Sequence, residues 1–460
     1  MPSDSPLCFV LMPCGSKADP SGGPNINFDS IYEQAIKPAI EEAGMEPVRG
    51  DEECTNGIIH EPMFERLLLC DFAVADLTAG TPNVFYKLGV RDTARPATTL
   101  AIFAANQRLP FDVSHLRAFP YELGPNNSFA SREASLLQSS LAGRLAELRK
   151  VAFEGGAKDS PVFPLLNDYR TRDIARLKTD VFRDRVHYSN ERKRELAVAR
   201  ANGNASELNR IEKSLEPLDG AEVGILIDLL LSYRAVRAWE NMIHLYDRMP
   251  ATLQRSWMVR EQYGLALNRL GRWHEAVAVL EQVIAEQGPS SETLSILGRV
   301  YKDLWANGEE SGNNSLAEGH LRKAIDSYVR GFEADWRDAY PGINAVTLLD
   351  IQGSPGAESH KAELLPVVTF AVRQRLKFAQ PDYWDYATLL ELAVLRSDEE
   401  ESRRTLSDAL SHIREEWEPI TTANNLALIQ AARKKRGLNQ PWLDDVISSL
   451  RSQVSTRQSR

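Results

Sequence analysis

The chain has 460 residues and a formal charge of -10, so it is long enough for more than one core and lacks the basic excess that a nucleic-acid surface requires. No apolar stretch is long enough to span a membrane and none reads as a secretory leader. The four cysteines, Cys8, Cys14, Cys54 and Cys70, show no CxxC spacing, which predicts reduced thiols in a cytoplasmic protein and no metal site.

Residues 7–13 (LCFVLMP) form a continuous apolar run ended by Pro and Gly, the pattern of a strand buried on both faces of a parallel sheet. The loop SKADPSGGPN follows; it lacks both GxxxxGK and the spaced glycines of a dinucleotide fingerprint, and is expected to be a mobile flap. Residues 28–43 place Ile31, Ala35, Ile36, Ala39 and Ile40 on one helical face, capped by Asn27 and stopped at Gly44. Further strands are predicted at 46–48, 72–77, 98–104 and 118–123, and helices at 58–69 and 84–94. Strands separated by such helices require a right-handed, doubly wound parallel sheet, here five-stranded, within residues 1–150.

After Arg149 the text turns helical. A connector at 155–164 leads to a charged helical hairpin at 168–215, broken near 202–204; together they make a spacer over 151–218. Gly264 and Gly298 lie 34 residues apart, each in helical text, with Ala276 and Leu280 after the first. That spacing resembles tetratricopeptide repeats, in which a small residue lets paired helices touch. The Gly/Asn-rich stretch 307–314 predicts a loop inserted into one repeat, after which Ala324 and Tyr328 resume the pattern, with degenerate pairs at 344–349, 383–395 and 406–413. The expected fold class is α/β plus all-α, the helical solenoid covering 219–455. Trp239, Trp273, Trp305 and Trp336 either anchor a partner or fill the gaps between repeats, and the run RKKR at 433–436 reads as a solvated helix end.

Residues 70–91, CDFAVADLTAGTPNVFYKLGVR, run from a buried strand through a Pro-Asn turn into a helix. The segment resembles the motif of nucleoside 2-deoxyribosyltransferase-like and TIR-like domains, whose helix opens Tyr-Glu-Leu-Gly with the Glu acting at the ribosyl C1'. Asn83 and Leu88-Gly89 match; Lys87 stands in place of the Glu. An ammonium donates but cannot accept, so it neither attacks nor stabilises an oxocarbenium cation. The resemblance implies a ligand pocket, for a nucleoside or nucleotide, built from Met12, Pro13, Cys14, Gly15, Asp71, Asp76 and Asn83. The alternative is that Asp76 caps the turn and Asn83 caps the helix. Glu53, Glu61 and Glu65 are the carboxylates available to replace the missing one, and His60 and His115 the isolated histidines; each also reads as an ordinary surface residue. Cys14 reads as a packed thiol.

The stretch 224–305, with ILIDLLLSYRAVRAWENMIHLYDRMP, YGLALNRLGRW and ILGRVYKDLW, is similar to the TRAFs-binding region of the apoptosis signal-regulating kinases, a MAP kinase kinase kinase family. In those kinases a degenerate TIR-like domain precedes it, whose helix reads Phe-Tyr-His-Leu-Gly-Val-Arg; Phe85 to Arg91 differ only at Lys87. The resemblance covers roughly residues 7 to 455 and includes no Gly-rich phosphate loop, HRD or DFG segment. It implies a bacterial relative of the regulatory half: a catalytically degenerate sensor domain joined to a platform that binds a protein partner, with a homo-oligomer as a further option. The rival reading is an enzyme cleaving an N-glycosidic bond in a nucleoside, a nucleotide or NAD.

Overall fold

The computed structural model describes residues 5–49, 61–95, 97–109, 118–153, 160, 162–165, 179–378, 381–415 and 417–457. Glu53, Cys54, His60, His115 and residues 168–178 of the expected hairpin lie outside the described residues. The chain forms two compact units, 1–236 and 237–460.

In the first unit, strands β1 (Leu7–Leu11), β2 (Glu46–Arg49), β3 (Phe72–Asp76), β4 (Thr99–Ala104) and β5 (Phe119–Tyr121) make one sheet in the order β2-β1-β3-β4-β5. Every pairing is parallel, with Phe9 opposite Val48 and Ala73. The apolar runs follow from burial on both faces. Cys8, Val10 and Met12 point toward α1, built from Phe28–Ile31, the π turn Tyr32–Ile36 and Lys37–Glu42, and toward α4 (Ser131–Phe153). Leu7, Phe9 and Leu11 point the other way, toward α2 (Glu61–Leu69) and α3 (Pro82–Ala94). Asn27 caps α1 by accepting from Ser30 N at 3.0 Å, and Gly44 ends it with φ +72°.

The loop expected to be a mobile flap is pinned. Residues Ser16–Lys17 and Ile26–Asn27 pair as a short antiparallel ladder. Buried Asp19 accepts from Gln107 Nε2 at 2.8 Å and from Asn127 Nδ2 at 2.7 Å. Burial raises the pKa of Asp19, but the bonds from Asn127, Ser21 and Gln107 outweigh it and hold the carboxyl below its usual range.

Helices α5 (Thr179–Ala201), α6 (Ala205–Ser214) and α7 (Val223–Ala235) complete this unit. The break between α5 and α6 falls at 202–204, where Asn204 caps α6. Arg66 of α2, 3% exposed at its side chain, pairs with Glu222 at 3.0 Å and ties the start of α7 to the sheet's helices.

The second unit is helical: α8 (Trp239–Arg248), α9 (Trp257–Arg269), α10 (Trp273–Gln287), α11 (Ser291–Glu310), α12 (Asn314–Ala334), α13 (Ala339–Gln352), α14 (Pro355–Phe378), α15 (Tyr383–Leu395), α16 (Glu399–Ser411), α17 (Trp417–Lys435) and α18 (Pro441–Arg457). They pack as antiparallel hairpins, and the first helices of successive hairpins, α9, α11, α13, α15 and α17, touch one another in turn. Those helices form the inner layer of a stack. A Cβ on Gly264 would come within 3.0 Å of Leu280, and one on Gly298 within 2.9 Å of the Tyr328 ring. Both glycines therefore mark helix crossings within a hairpin.

Two expectations fail in this unit. Residues 307–310 continue α11 and the turn to α12 takes only 311–313, so the expected inserted loop is an ordinary hairpin of long helices. Gly308 permits this: a Cβ there would meet the Ala317 backbone at 3.0 Å. Arg433, expected in a solvated run, is buried and grips buried Asp350 through Nε at 2.9 Å and Nη2 at 2.8 Å, joining α17 to α13.

Candidate functional site

Three regions could carry function. The first is the crevice at the carboxyl ends of β1 and β3, where the strand order reverses and open α/β sheets bind ligands. Met12, Pro13 and Cys14 are buried at the end of β1, and Gly15 turns with φ +67°. Asp76 is at the end of β3 and fully engaged. Its Oδ1 accepts from Thr78 N at 3.0 Å and Thr78 Oγ1 at 2.5 Å; its Oδ2 accepts from Tyr121 OH at 3.0 Å. Burial pushes the Asp76 carboxyl up to about 6, the three bonds working against it, and burial together with the Asp76 charge raises the Tyr121 phenol well above its ordinary value.

The remaining expected site residues are dispersed. Asp71 lies at the opposite end of the sheet, where its Oδ2 accepts from Leu7 N at 2.9 Å. Asn83 is exposed inside the first turn of α3 and is not its cap; Thr81 is, because Pro82, with φ preset for a helix, takes the first helical position. Lys87, one turn further, is 6% exposed and already has a partner in the fold. Glu65 is half-buried and likewise engaged, and Cys14 is buried.

At the end of the same motif sequence reasoning missed Arg91. Fully buried, it donates to Leu67 O at 2.8 Å, Cys70 O at 2.7 Å and Asp71 O at 3.2 Å, and to the hydroxyls of Thr98 and Thr99. It binds the end of α2 to the starts of β3 and β4, so this part of the motif is architecture.

The second region is a cavity of about 810 Å³ beside edge strand β2, between α1, α5 and α7. Arg49 forms its inner wall, donating to Asp29 Oδ1 at 2.6 Å and Pro13 O at 3.3 Å and lying 4.6 Å from the Tyr32 ring centre. Burial raises the Asp29 pKa, but Gly15 N and Arg49 bring it below its usual value. Arg200 on the facing wall pairs with Asp228 at 2.9 Å. None of the expected ligand residues lines this cavity, and its walls carry both signs of charge.

The third region is the inner layer of the helical unit. Asp303 of α11 accepts from Asn268 of α9 at 2.9 Å and pairs with Arg299 at 3.0 Å. Lys302 reaches Asn344 of α13 at 3.4 Å, and Thr347 donates to buried Glu391 of α15 at 2.6 Å. A polar column thus crosses four inner helices. Tyr340, at the start of α13, is 50% exposed and Trp336, on the turn before that helix, 51% exposed, whereas Trp305 is buried and Trp239 and Trp273 are half-buried. Of the expected tryptophans only Trp336 is free for a partner; its exposed position on an interhelix turn left no signal in the sequence. Among the described residues no group of three or more His, Cys, Asp or Glu is placed to hold a metal, and no helix is long and apolar enough to cross a membrane.

A family model described as the MAP3K TRAFs-binding domain matches residues 84–446. Mitogen-activated protein kinase kinase kinase 15 of Mus musculus is 22% identical over 418 residues, 82% of this chain and 30% of the relative. The Caenorhabditis elegans kinase nsy-1 is 29% identical over 222 residues, 44% of this chain and 14% of the relative. The chain therefore spans under a third of these relatives. Among solved structures, a thermophilic TPR protein of Thermus thermophilus is similar with TM-score 0.34 and 14% identity, over 44% of this chain and 97% of that one. A tetratricopeptide repeat protein from Parabacteroides merdae gives TM-score 0.35 and 12% identity, over 58% and 95%.

Proposed function

The chain belongs to the MAP3K TRAFs-binding domain family, and we accordingly propose that its helical unit is a regulatory scaffold that binds a partner protein. The observation that carries the reading is the family match through the whole inner layer, α9 to α17, where Tyr340 and Trp336 stand exposed although the neighbouring helices are well packed. Aromatic side chains that fold stability does not bury are the usual anchors of a protein contact. A TRAF, the partner named in the family's description, or a protein of similar kind is the partner class to test.

The sheet of the first unit we read as a degenerate nucleotide-binding sensor that does not cleave a glycosidic bond. Two features support this: Lys87 in place of the carboxylate, and an Asp76 whose oxygens are committed to Thr78 and Tyr121. Affinity capture with the full chain tests the scaffold reading. Partners should be lost when Trp336 and Tyr340 are both replaced by Ala and kept when Asn83 is. The reverse dependence would reject it.

A further inference from the structure

Two cations at the inner layer of the helical unit, Arg237 and Arg269, have no carboxylate bonded to them among the described residues. Both are exposed and make no side-chain hydrogen bond among those residues. Arg269 follows Asn268, whose amide holds Asp303, and Arg299 is paired to that same Asp303. Arg269 therefore stands beside Arg299, with Arg237 near enough to be felt, and Lys302 lies one helical turn beyond Arg299. Burial first, and then the charge of Arg299, lowers the pKa of both Arg269 and Lys302, while Asp303 and, at Lys302, Glu391 act the other way. Within this cluster Asp303 is the carboxylate at bonding distance, and it is already shared by Asn268 and Arg299. Tyr340 borders the cluster, its ring edge-on to buried Tyr328 at 6.3 Å and its outer half open.

We propose that this face holds an acidic peptide segment of the partner protein, its carboxylates on Arg237, Arg269 and Arg299 and an apolar side chain against Tyr340. The proposal rests on the reading that the helical unit carries the partner contact, and it adds the chemistry of that partner. Charge complementarity selects the occupant: guanidinium groups bind carboxylates in paired geometry, while Tyr340 supplies an apolar stop. A long polyanion is disfavoured because the chain as a whole carries -10.

Fluorescence anisotropy of the full chain with a labelled Glu-rich peptide containing one Leu tests this. Saturable binding is expected, weakening as salt shortens the Debye length from about 10 Å at 0.1 M to about 3 Å at 1 M. Arg269→Glu should weaken it by about tenfold or more, Arg269→Gln by less, and Arg330→Glu on α12 should leave it unchanged. Circular dichroism confirms that each variant is folded, as the exposed, unpaired position of Arg269 predicts. Absence of binding, equal binding of the Gln-for-Glu peptide, equal binding by Arg269→Glu, or equal binding of an oligonucleotide of the same charge would each overturn the proposal. A chain that ignores the acidic peptide yet loses its captured partner on Trp336 and Tyr340 substitution would overturn this inference alone and keep the scaffold reading.

Discussion

Tyr328 occupies the space that a side chain at Gly298 would need: a Cβ there would lie 2.9 Å from the ring's Cγ and 3.0 Å from both Cδ atoms. The two residues set the separation of α11 and α12. Since Tyr328 is fully buried, its ring has nowhere to retreat.

Gly298→Leu should therefore force the hairpin apart and destabilise the protein by about 1–3 kcal/mol or more. A thermal melt reads it as a lower Tm. An unchanged Tm would mean that the crossing tolerates a side chain.

Asp350→Ala should cost about 3–5 kcal/mol, because it leaves Arg433 charged and buried. Lys434→Ala, one residue along and exposed, should stay within about 0.5 kcal/mol. Denaturant titration of the two variants separates them. Burial opposes ionisation of Asp350, but Arg433 and Lys361 hold its pKa below the usual value. Its contribution should thus be present above the unfolded carboxylate range and fade as pH falls through the folded value.

Asp76 has the opposite sign. Its folded pKa of about 6 lies well above the ordinary aspartate value of 3.8, so its contribution is complete below about pH 4 and is lost as pH rises through 6. A gap of that size corresponds to about 3 kcal/mol. Stability measured from pH 4 to 7 should fall more steeply in the native chain than in Asp76→Asn, whose amide can keep the bonds to Thr78 and Tyr121. Parallel profiles would show that Asp76 does not titrate in this window.

Incubation with NAD or nucleosides should release no more base than a Lys87→Ala control, since no carboxylate occupies that position. Release well above the control, followed by chromatography of the free base, would reinstate the glycosidase reading.

Much of the fold is legible in the sequence because its causes are local. Strands buried on both faces read as unbroken apolar runs, and a crossing with no room for a Cβ must carry glycine, as at Gly264 and Gly298. What stays hidden depends on distant partners. Arg433 looks solvated until Asp350, 83 positions earlier, comes beside it. The Gly-rich loop looks mobile until Asn127, 108 positions later, reaches Asp19. Residues 307–310 read as loop because Asn and Gly are poor helix formers, yet packing of Gly308 on Ala317 overrides that preference. At the candidate sites the motif points to the carboxyl ends of β1 and β3 but groups Asp71 with them, since strand direction alone does not say which end a flanking Asp occupies. The cluster around Arg269 carries no such signal, because three successive inner helices and the turn at Arg237 assemble it.

Hydrogen exchange of the full chain, alone and with its captured protein partner, is the sharpest test of the inner helices as the partner surface, because it maps the contact on the intact protein. New protection is expected at the end of α9, the middle of α11 and the start of α13, around Arg269, Arg299 and Tyr340, with the turn from Asp76 to Asn83 unchanged. Protection confined to that turn and the end of β1, with the inner helices unaltered, would contradict it.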